Sequence, residues 1–214
     1  PLGRVVAVAA LLAGAVATWR ISGFGNSLEA VRTNIKTLFG KLFDVRIPGL
    51  ATRPLTAEEI DYLITKIVAI MPVGLAVMWF VGMLINLWLA GRITYASGRL
   101  MRPWPEFSAI AMPNGFAMML ALAIVATWLG GLGGLFATAF VGSILAAFTL
   151  VGLAIVHTKS RASSWRPFIL ATVYLLLIVT HVWAAAVLAL VALAEPMAPW
   201  NRNRAPPGEP PSAA

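Results

Sequence analysis

The stretch that decides the fold runs from Thr56 to Arg102 and reads TAEEIDYLITKIVAIMPVGLAVMWFVGMLINLWLAGRITYASGRLMR. Thr56 and Glu59 have the spacing of a capping box, in which each side chain satisfies a backbone N–H near the other. From Ile67 to Ala90 no side chain is charged. As a helix this run extends about 36 Å, enough to cross the roughly 30 Å hydrocarbon layer of a membrane. We therefore predict a capped helix that continues into a membrane span.

The composition is typical of a membrane protein with several spans. Hydrophobic residues make up 60% of the 214 residues and charged residues 11%, whereas a soluble domain has about 25% charged residues. The net charge is +8, and the bases stand in loops beside apolar stretches. They indicate orientation against a lipid bilayer, not nucleic-acid binding. The chain has no cysteine, which excludes disulfides, thiolate nucleophiles and Cys-based metal sites.

Five apolar stretches predict an all-α bundle of five transmembrane helices. Polar, Gly-rich or Pro-rich breaks that end helices separate them. We expect a kink at Pro72, which removes a backbone hydrogen bond, and a short turn at residues 130–134, which makes the flanking spans antiparallel. Pro113 is expected in the first turn of its helix. The predicted spans are residues 2–18, 67–90, 113–129, 135–156 and 167–194.

Two segments outside the spans have their own character. Residues 26–43 predict an amphipathic helix, because Leu28, Val31 and Ile35 follow at helical spacing and the basic residues lie off that face. This helix either rests in the membrane interface or covers the mouth of the bundle, and the sequence leaves both open. Residues 195–214 are polar and Pro-rich, which predicts a disordered tail.

The basic loops predict the orientation of the chain in the membrane. Residues 91–112 and 157–166 are separated by two predicted spans and are dense in Lys and Arg. The positive-inside rule places both in the cytoplasm. Because the sequence begins at Pro1 and is apolar from Val5, we also expect an upstream portion of the protein.

Two polar side chains within the spans are the main functional candidates. Asn86 is either a ligand contact or an interhelical hydrogen bond. We expect it to face the bundle interior, since an unpaired amide in hydrocarbon is costly. His181 lies in the middle of the last span, with Tyr174 on the same face, and either couples protons or is a neutral, hydrogen-bonded residue. The predicted cavity-lining residues are Asn86, Trp88 and His181.

The remaining patterns favour packing over chemistry. Ala9, Ala13 and Ala17 recur every four residues, a stripe that lets another helix approach closely, either within the bundle or on a partner. No span holds an acid, the two His residues lie on different helices, and no phosphate-loop or nucleophile motif appears. The sequence therefore predicts no enzyme, no metal and no cofactor.

Three stretches together resemble a known family. They read IMPVGLAVMWFVGMLINLWLAGRI from Ile70 to Ile93, RPWPEFSAIAMP from Arg102 to Pro113, and GLAIVH from Gly152 to His157. In this order they resemble the YybS-like family of bacterial integral membrane proteins, a family of unknown function, over residues 56–200. The family is grouped distantly with the substrate-binding membrane subunits of energy-coupling-factor vitamin transporters. The resemblance implies a compact helical bundle with a cavity and an ATPase partner, but carries over no site residue.

Two functions from different classes follow as hypotheses. The first is a transporter-like substrate-binding subunit that works with a separate ATPase, other membrane subunits and an unknown small molecule. The alternative is a non-transporting membrane scaffold that docks envelope or division proteins. An open cavity lined by the three candidate residues would favour the first, and a solid core with an exposed small-residue stripe would favour the second.

Overall fold

A computed structural model describes residues 2–43, 56–99 and 110–195. This part of the chain is 88% helical and contains no strand, which confirms the predicted all-α class. The predicted tail lies outside it beyond Glu195. Two short 3₁₀ turns, Thr127–Leu129 and Ser160–Ala162, follow the fourth and fifth helices. The helices are α1 (Leu2–Ser22), α2 (Leu28–Phe43), α3 (Ala57–Ala96), α4 (Phe116–Ala126), α5 (Gly131–Lys159), α6 (Arg166–Thr180) and α7 (Val182–Ala194).

Three helices in the described ranges are long and apolar enough to cross a membrane. They are α1, α3 and the segment Gly131–Ala162, which is α5 with its 3₁₀ turn. The segment Phe116–Leu129 and the helices α6 and α7 are apolar but shorter. The membrane-type character of the sequence therefore holds in the structure, whereas the predicted count of five spans is not confirmed.

The start of α3 confirms the predicted capping box. The backbone N–H of Glu59 donates to Thr56 Oγ1 at 3.3 Å, and the backbone N–H of Thr56 donates to Glu59 Oε2 at 2.8 Å. Two N–H groups that a helix start leaves without a partner are thus satisfied. From this cap α3 continues through Pro72 to Ala96, over 40 residues.

Removing the cap gives a first measurable prediction. Thr56→Ala should lower the free energy of unfolding by about 1 kcal/mol, because the N–H of Glu59 loses its acceptor. Thr37→Ala is the matched control, since Thr37 lies inside α2 and its hydroxyl bonds only to the Thr33 carbonyl of the same helix. Thermal unfolding of both variants measures the difference, and equal shifts would contradict a role for the cap.

The small-residue stripe of α1 is packed inside the bundle. Its members are buried: Ala9, Ala13 and Ala17. Ala17 lies in one cluster with Ala139 of α5, and Val6 lies in another with Val151. Residues near the start of α1 therefore lie beside residues near the end of α5, and the two helices are antiparallel. The stripe lets α1 approach its neighbours closely and leaves no small-residue face for a partner.

In contrast, α3 runs in the same direction as α5. Val68 shares a cluster with Leu135 near the start of α5. Further along both helices, Val73 lies against Gly142. We name the two ends of the bundle from this order. The α2 end holds α2 and the start of α5, and the basic end holds the end of α5 at Lys159.

The amphipathic helix α2 covers the α2 end of the bundle. Val31 and Ile35 are 0% and 1% exposed, and they pack against Ile64 and Val68 of α3. Because these contacts bury the apolar face against protein, the structure favours the covering role over a face inserted into lipid. An ion pair between Lys36 Nζ and an Asp61 carboxylate oxygen, at 3.5 Å, lies on the exposed side.

The hairpin of α4 and α5 differs in detail from its prediction. α4 begins at Phe116, after Gly115 in a left-handed conformation with φ 87°, so Pro113 precedes the helix instead of opening it. α5 begins at Gly131, and most of the predicted glycine turn is therefore helical. The tight approach of Gly134 to the Thr127 carbonyl, 2.8 Å from a Cβ placed there, explains the glycine at that position.

The predicted span 167–194 is not one helix, because the chain reverses at His181. The Thr149 hydroxyl contacts the Ala185 carbonyl, and Gly152 lies against the Leu188 carbonyl, so α7 runs parallel to α5. α6 starts at the basic end, directly after α5, and must run back to reach this position. The two helices form a hairpin that enters at the basic end and returns to it, and His181 at its tip lies beside the middle of α5.

The local sequence explains the break at His181. Residues 178–183 read IVTHVW, a run of β-branched, aromatic and histidine side chains, which are all weak helix formers. His181 has φ 40° and ψ −89° and is the non-glycine residue with positive φ in the described ranges. Close packing of α7 on α5 outweighs the cost of breaking the helix at this weak point.

The hairpin predicts a short distance between exposed labels on α5 and α7. Because the chain has no cysteine, spin labels can be placed uniquely at Lys159→Cys and Ala194→Cys. Pulsed electron paramagnetic resonance should give about 10–25 Å, the spacing of neighbouring helices plus the labels. A continuous last helix would instead separate the labels by about 40 Å. The pair Gly133→Cys and Lys159→Cys, about 39 Å apart along α5, calibrates the long distance.

Candidate functional site

A cavity of about 610 Å³ lies between α3, α5 and the tip of the hairpin. Its walls are side chains between residues 73 and 88 of α3, between residues 142 and 153 of α5, and between residues 181 and 185. The volume is within the range of small-molecule binding sites. The cavity exists because the hairpin reverses at mid-depth and leaves this flank of α3 and α5 uncovered.

The lining of the cavity is almost entirely apolar. Thr149 contributes a hydroxyl, but its oxygen lies 2.9 Å from the Leu145 carbonyl and 3.1 Å from the Ala185 carbonyl. Both carbonyls can only accept, so the single hydroxyl hydrogen is shared between them and ties α7 to α5. A ligand would therefore meet mainly hydrocarbon surface along this wall.

His181 supplies the main polar side chain of the cavity. Its imidazole lines the space and has no hydrogen-bond partner among the described residues. The backbone of this residue, with φ 40°, places the ring at the hairpin tip, and a backbone conformation of this kind persists only where the surrounding structure holds it. The imidazole can both donate and accept a hydrogen bond.

Of the three predicted cavity residues, the structure brings two together. Trp88 and His181 line the same cavity, whereas Asn86 is exposed on the outer side of α3. The expectation that Asn86 faces the interior is therefore wrong. Residues two positions apart point to opposite sides of a helix, and Asn86 needs no interhelical partner because its Nδ2 donates to the Gly82 carbonyl at 2.9 Å.

A second polar pair lies at the basic end. His157 Nδ1 is 3.0 Å from the Leu153 carbonyl, and its Nε2 is 3.4 Å from the Tyr174 hydroxyl. A carbonyl only accepts, so Nδ1 carries a proton and donates it to Leu153, while Nε2 lies within hydrogen-bond distance of the Tyr174 hydroxyl. The sequence placed Tyr174 with His181, but the break at His181 ends their common helix, and Tyr174 instead contacts His157 on α5. This contact connects the middle of α6 to the end of α5.

The two ends of the bundle differ in charge. The α2 end is balanced, with four described basic side chains and four acidic ones: Arg20, Arg32, Lys36 and Lys66 against Glu29, Glu58, Glu59 and Asp61. Among the described residues, the basic end has six bases and one acid: Arg4, Arg92, Arg99, Lys159, Arg161 and Arg166 against Glu195. The two predicted cytoplasmic loops thus contribute to the same, strongly positive end.

The cavity offers a ligand mainly apolar contacts. Among residues 2–43, 56–99 and 110–195, no three His, Asp or Glu side chains gather as a metal site. No family model, curated protein or solved structure matches the chain. The resemblance to the YybS-like family therefore stays a prediction.

Proposed function

We propose that this protein is a membrane-embedded, ligand-binding subunit of a transporter whose ATPase is a separate chain. The observation that carries the proposal is the apolar cavity between α3, α5 and the hairpin, with Trp88 and His181 on its walls. The three long apolar helices support insertion into a bilayer. In this proposal, the bilayer is a bacterial inner membrane. The excess of bases at one end supports placing that end in the cytoplasm.

The hairpin supports a transport role for the cavity. In many transporters the substrate site lies near the middle of the membrane, where helices are discontinuous. Non-helical backbone at that depth is tolerated where it lies in protein or lines a cavity. The tip at His181 combines both properties, since it interrupts a helix beside the middle of α5 and faces the cavity.

The scaffold hypothesis receives less support. It required an exposed small-residue stripe, but Ala13 and Ala17 are completely buried against the neighbouring helices. It also required a solid core, whereas the flank of α3 and α5 is hollow. The proposal therefore assigns binding to the cavity and no catalytic reaction to the chain.

Native mass spectrometry of the full chain, purified with its native lipids, tests the binding function. We expect one small molecule or lipid bound per chain that survives conditions that strip the other lipids. A graded series of weak adducts without a retained 1:1 species would overturn the proposal. Proteins that co-purify with the full chain in the same preparation should include an ATPase subunit.

A further inference from the structure

The cavity is a long groove and not a rounded chamber. Its α3 wall is a stripe at three- and four-residue spacing that runs from Val73 through Val77, Ile85 and Trp88. Those 15 helical steps extend about 22 Å. A volume of about 610 Å³ spread over this length is narrow, as an extended hydrocarbon chain is. The shape favours a linear ligand over a compact one.

The groove opens along the flank of the bundle. Ile85 and Trp88 line it and are nevertheless 57% and 58% exposed, and Val182 on the hairpin side is 68% exposed. In a protein that spans a membrane, a flank of this kind borders the hydrocarbon layer. A ligand would therefore enter sideways from the bilayer. This route favours a molecule that dissolves in lipid over a water-soluble one.

The stripe of α3 continues from the groove to a basic residue. Arg92 follows Trp88 by four positions, so it lies on the same face of the helix, with its guanidinium 6.0 Å from the centre of the Tyr95 ring. Trp and Arg together are typical of the membrane interface. At this point the ligand would leave the apolar part of the bundle and meet the positive charge of the basic end.

We infer that the groove binds a single-chain anionic lipid taken from the surrounding leaflet, with its alkyl chain along α3 and α5 and its head group beside Arg92. This inference rests on the proposed binding function and specifies its ligand class. The apolar walls match one alkyl chain, and the six bases of the basic end match a negative head group. The chain then lies parallel to the lipid chains of the leaflet.

Photocrosslinking tests the ligand class on the full protein in nanodiscs of phosphatidylcholine, which carries no net charge. The probe is hexadecanoate with a diazirine in its chain, and peptide mapping identifies the labelled residues. We expect labelling between residues 81 and 88 and between residues 145 and 153. Unlabelled hexadecanoate should compete at a concentration at least about tenfold lower than methyl hexadecanoate or hexadecyltrimethylammonium, because only the carboxylate pairs with the guanidinium.

Charge variants separate the head-group contact from general attraction to the membrane. Arg92→Gln should remove the preference for hexadecanoate over its methyl ester, and Arg92→Lys should retain most of it. Arg20→Gln, at the α2 end, is the matched control and should leave the preference unchanged. Melting temperatures of the three variants verify that each remains folded.

The outcomes distinguish this inference from the proposed function. Equal competition by all three hexadecyl compounds would overturn the anionic head group and leave the binding function standing. Equal competition by octanoate would overturn the long alkyl chain. If the probe does not label the groove, the ligand class is wrong, whereas the proposed binding function falls only if native mass spectrometry also shows no retained 1:1 species.

Discussion

Ala146→Phe is expected to abolish ligand retention, by at least about tenfold in affinity, while the helices stay folded. Ala146 lies on the α5 wall and is only partly buried, because its methyl group borders the cavity. A phenyl ring at this position would occupy space that the ligand needs. Since the ring enters an existing cavity, it should avoid the about 1–3 kcal/mol that overpacking of a filled core costs.

The control for this variant is Ala184→Phe. Ala184 is also partly buried and lies one residue before the cavity-lining Ala185, but it does not line the cavity. Native mass spectrometry should show the bound molecule in the wild type and in Ala184→Phe, and not in Ala146→Phe. Retention in all three proteins would mean that the ligand binds elsewhere.

Gly152→Ala is expected to destabilise the protein, although alanine is the better helix former. A Cβ at residue 152 would overlap the carbonyl oxygen of Leu188 and lie 2.7 Å from its carbonyl carbon. Because backbone atoms cannot move aside as a side chain can, we expect a loss towards the upper end of the about 1–3 kcal/mol typical of overpacking. The gain in helix propensity of about 1 kcal/mol offsets only part of it.

The same substitution at Gly82 should raise the stability of the protein instead of lowering it. Gly82 also lies inside a long helix, but a Cβ there meets no atom within 4 Å. Gly82→Ala should therefore stabilise the protein by up to about 1 kcal/mol. The melting temperatures of Gly152→Ala and Gly82→Ala compare the same substitution at a packed position and at an open one. If Gly152→Ala also gained stability, α7 would not pack on α5 as the hairpin requires.

The sequence predicted those features that depend on local pattern. The cap of α3 follows from the types and spacing of Thr56 and Glu59, and the structure contains both of its hydrogen bonds. The amphipathic character of α2 follows from its periodicity, whereas its contacts with α3 depend on the tertiary structure. The composition indicated all-α helices of membrane type, because few charges over long runs leave little alternative.

The sequence did not predict the hairpin, because hydropathy reports polarity and not helix propensity. Residues 167–194 form a long apolar run, and after Pro167 it contains neither Gly nor Pro to mark a break. The weak helix formers around His181 were the available signal. Whether such a run breaks depends on the packing of α7 on α5, which no local pattern specifies.

The structure places the three candidate residues differently from one another. Trp88 and His181 lie on one cavity, but only the reversal at His181 brings them there. Asn86 was placed with Trp88, although residues two positions apart on a helix point to opposite sides. Its hydrogen bond to Gly82 also shows that an amide in an apolar helix can be satisfied without a second helix.

The hairpin has a consequence for how the protein is inserted into a bilayer. α6 and α7 enter and leave at the basic end, so no polar segment has to be translocated across the lipid for them to reach mid-depth. The basic loop before α6, with Lys159, Arg161 and Arg166, and Glu195 after α7 lie at the same end of the bundle. Insertion machinery would thus only have to deliver an apolar hairpin sideways into the bilayer beside α5.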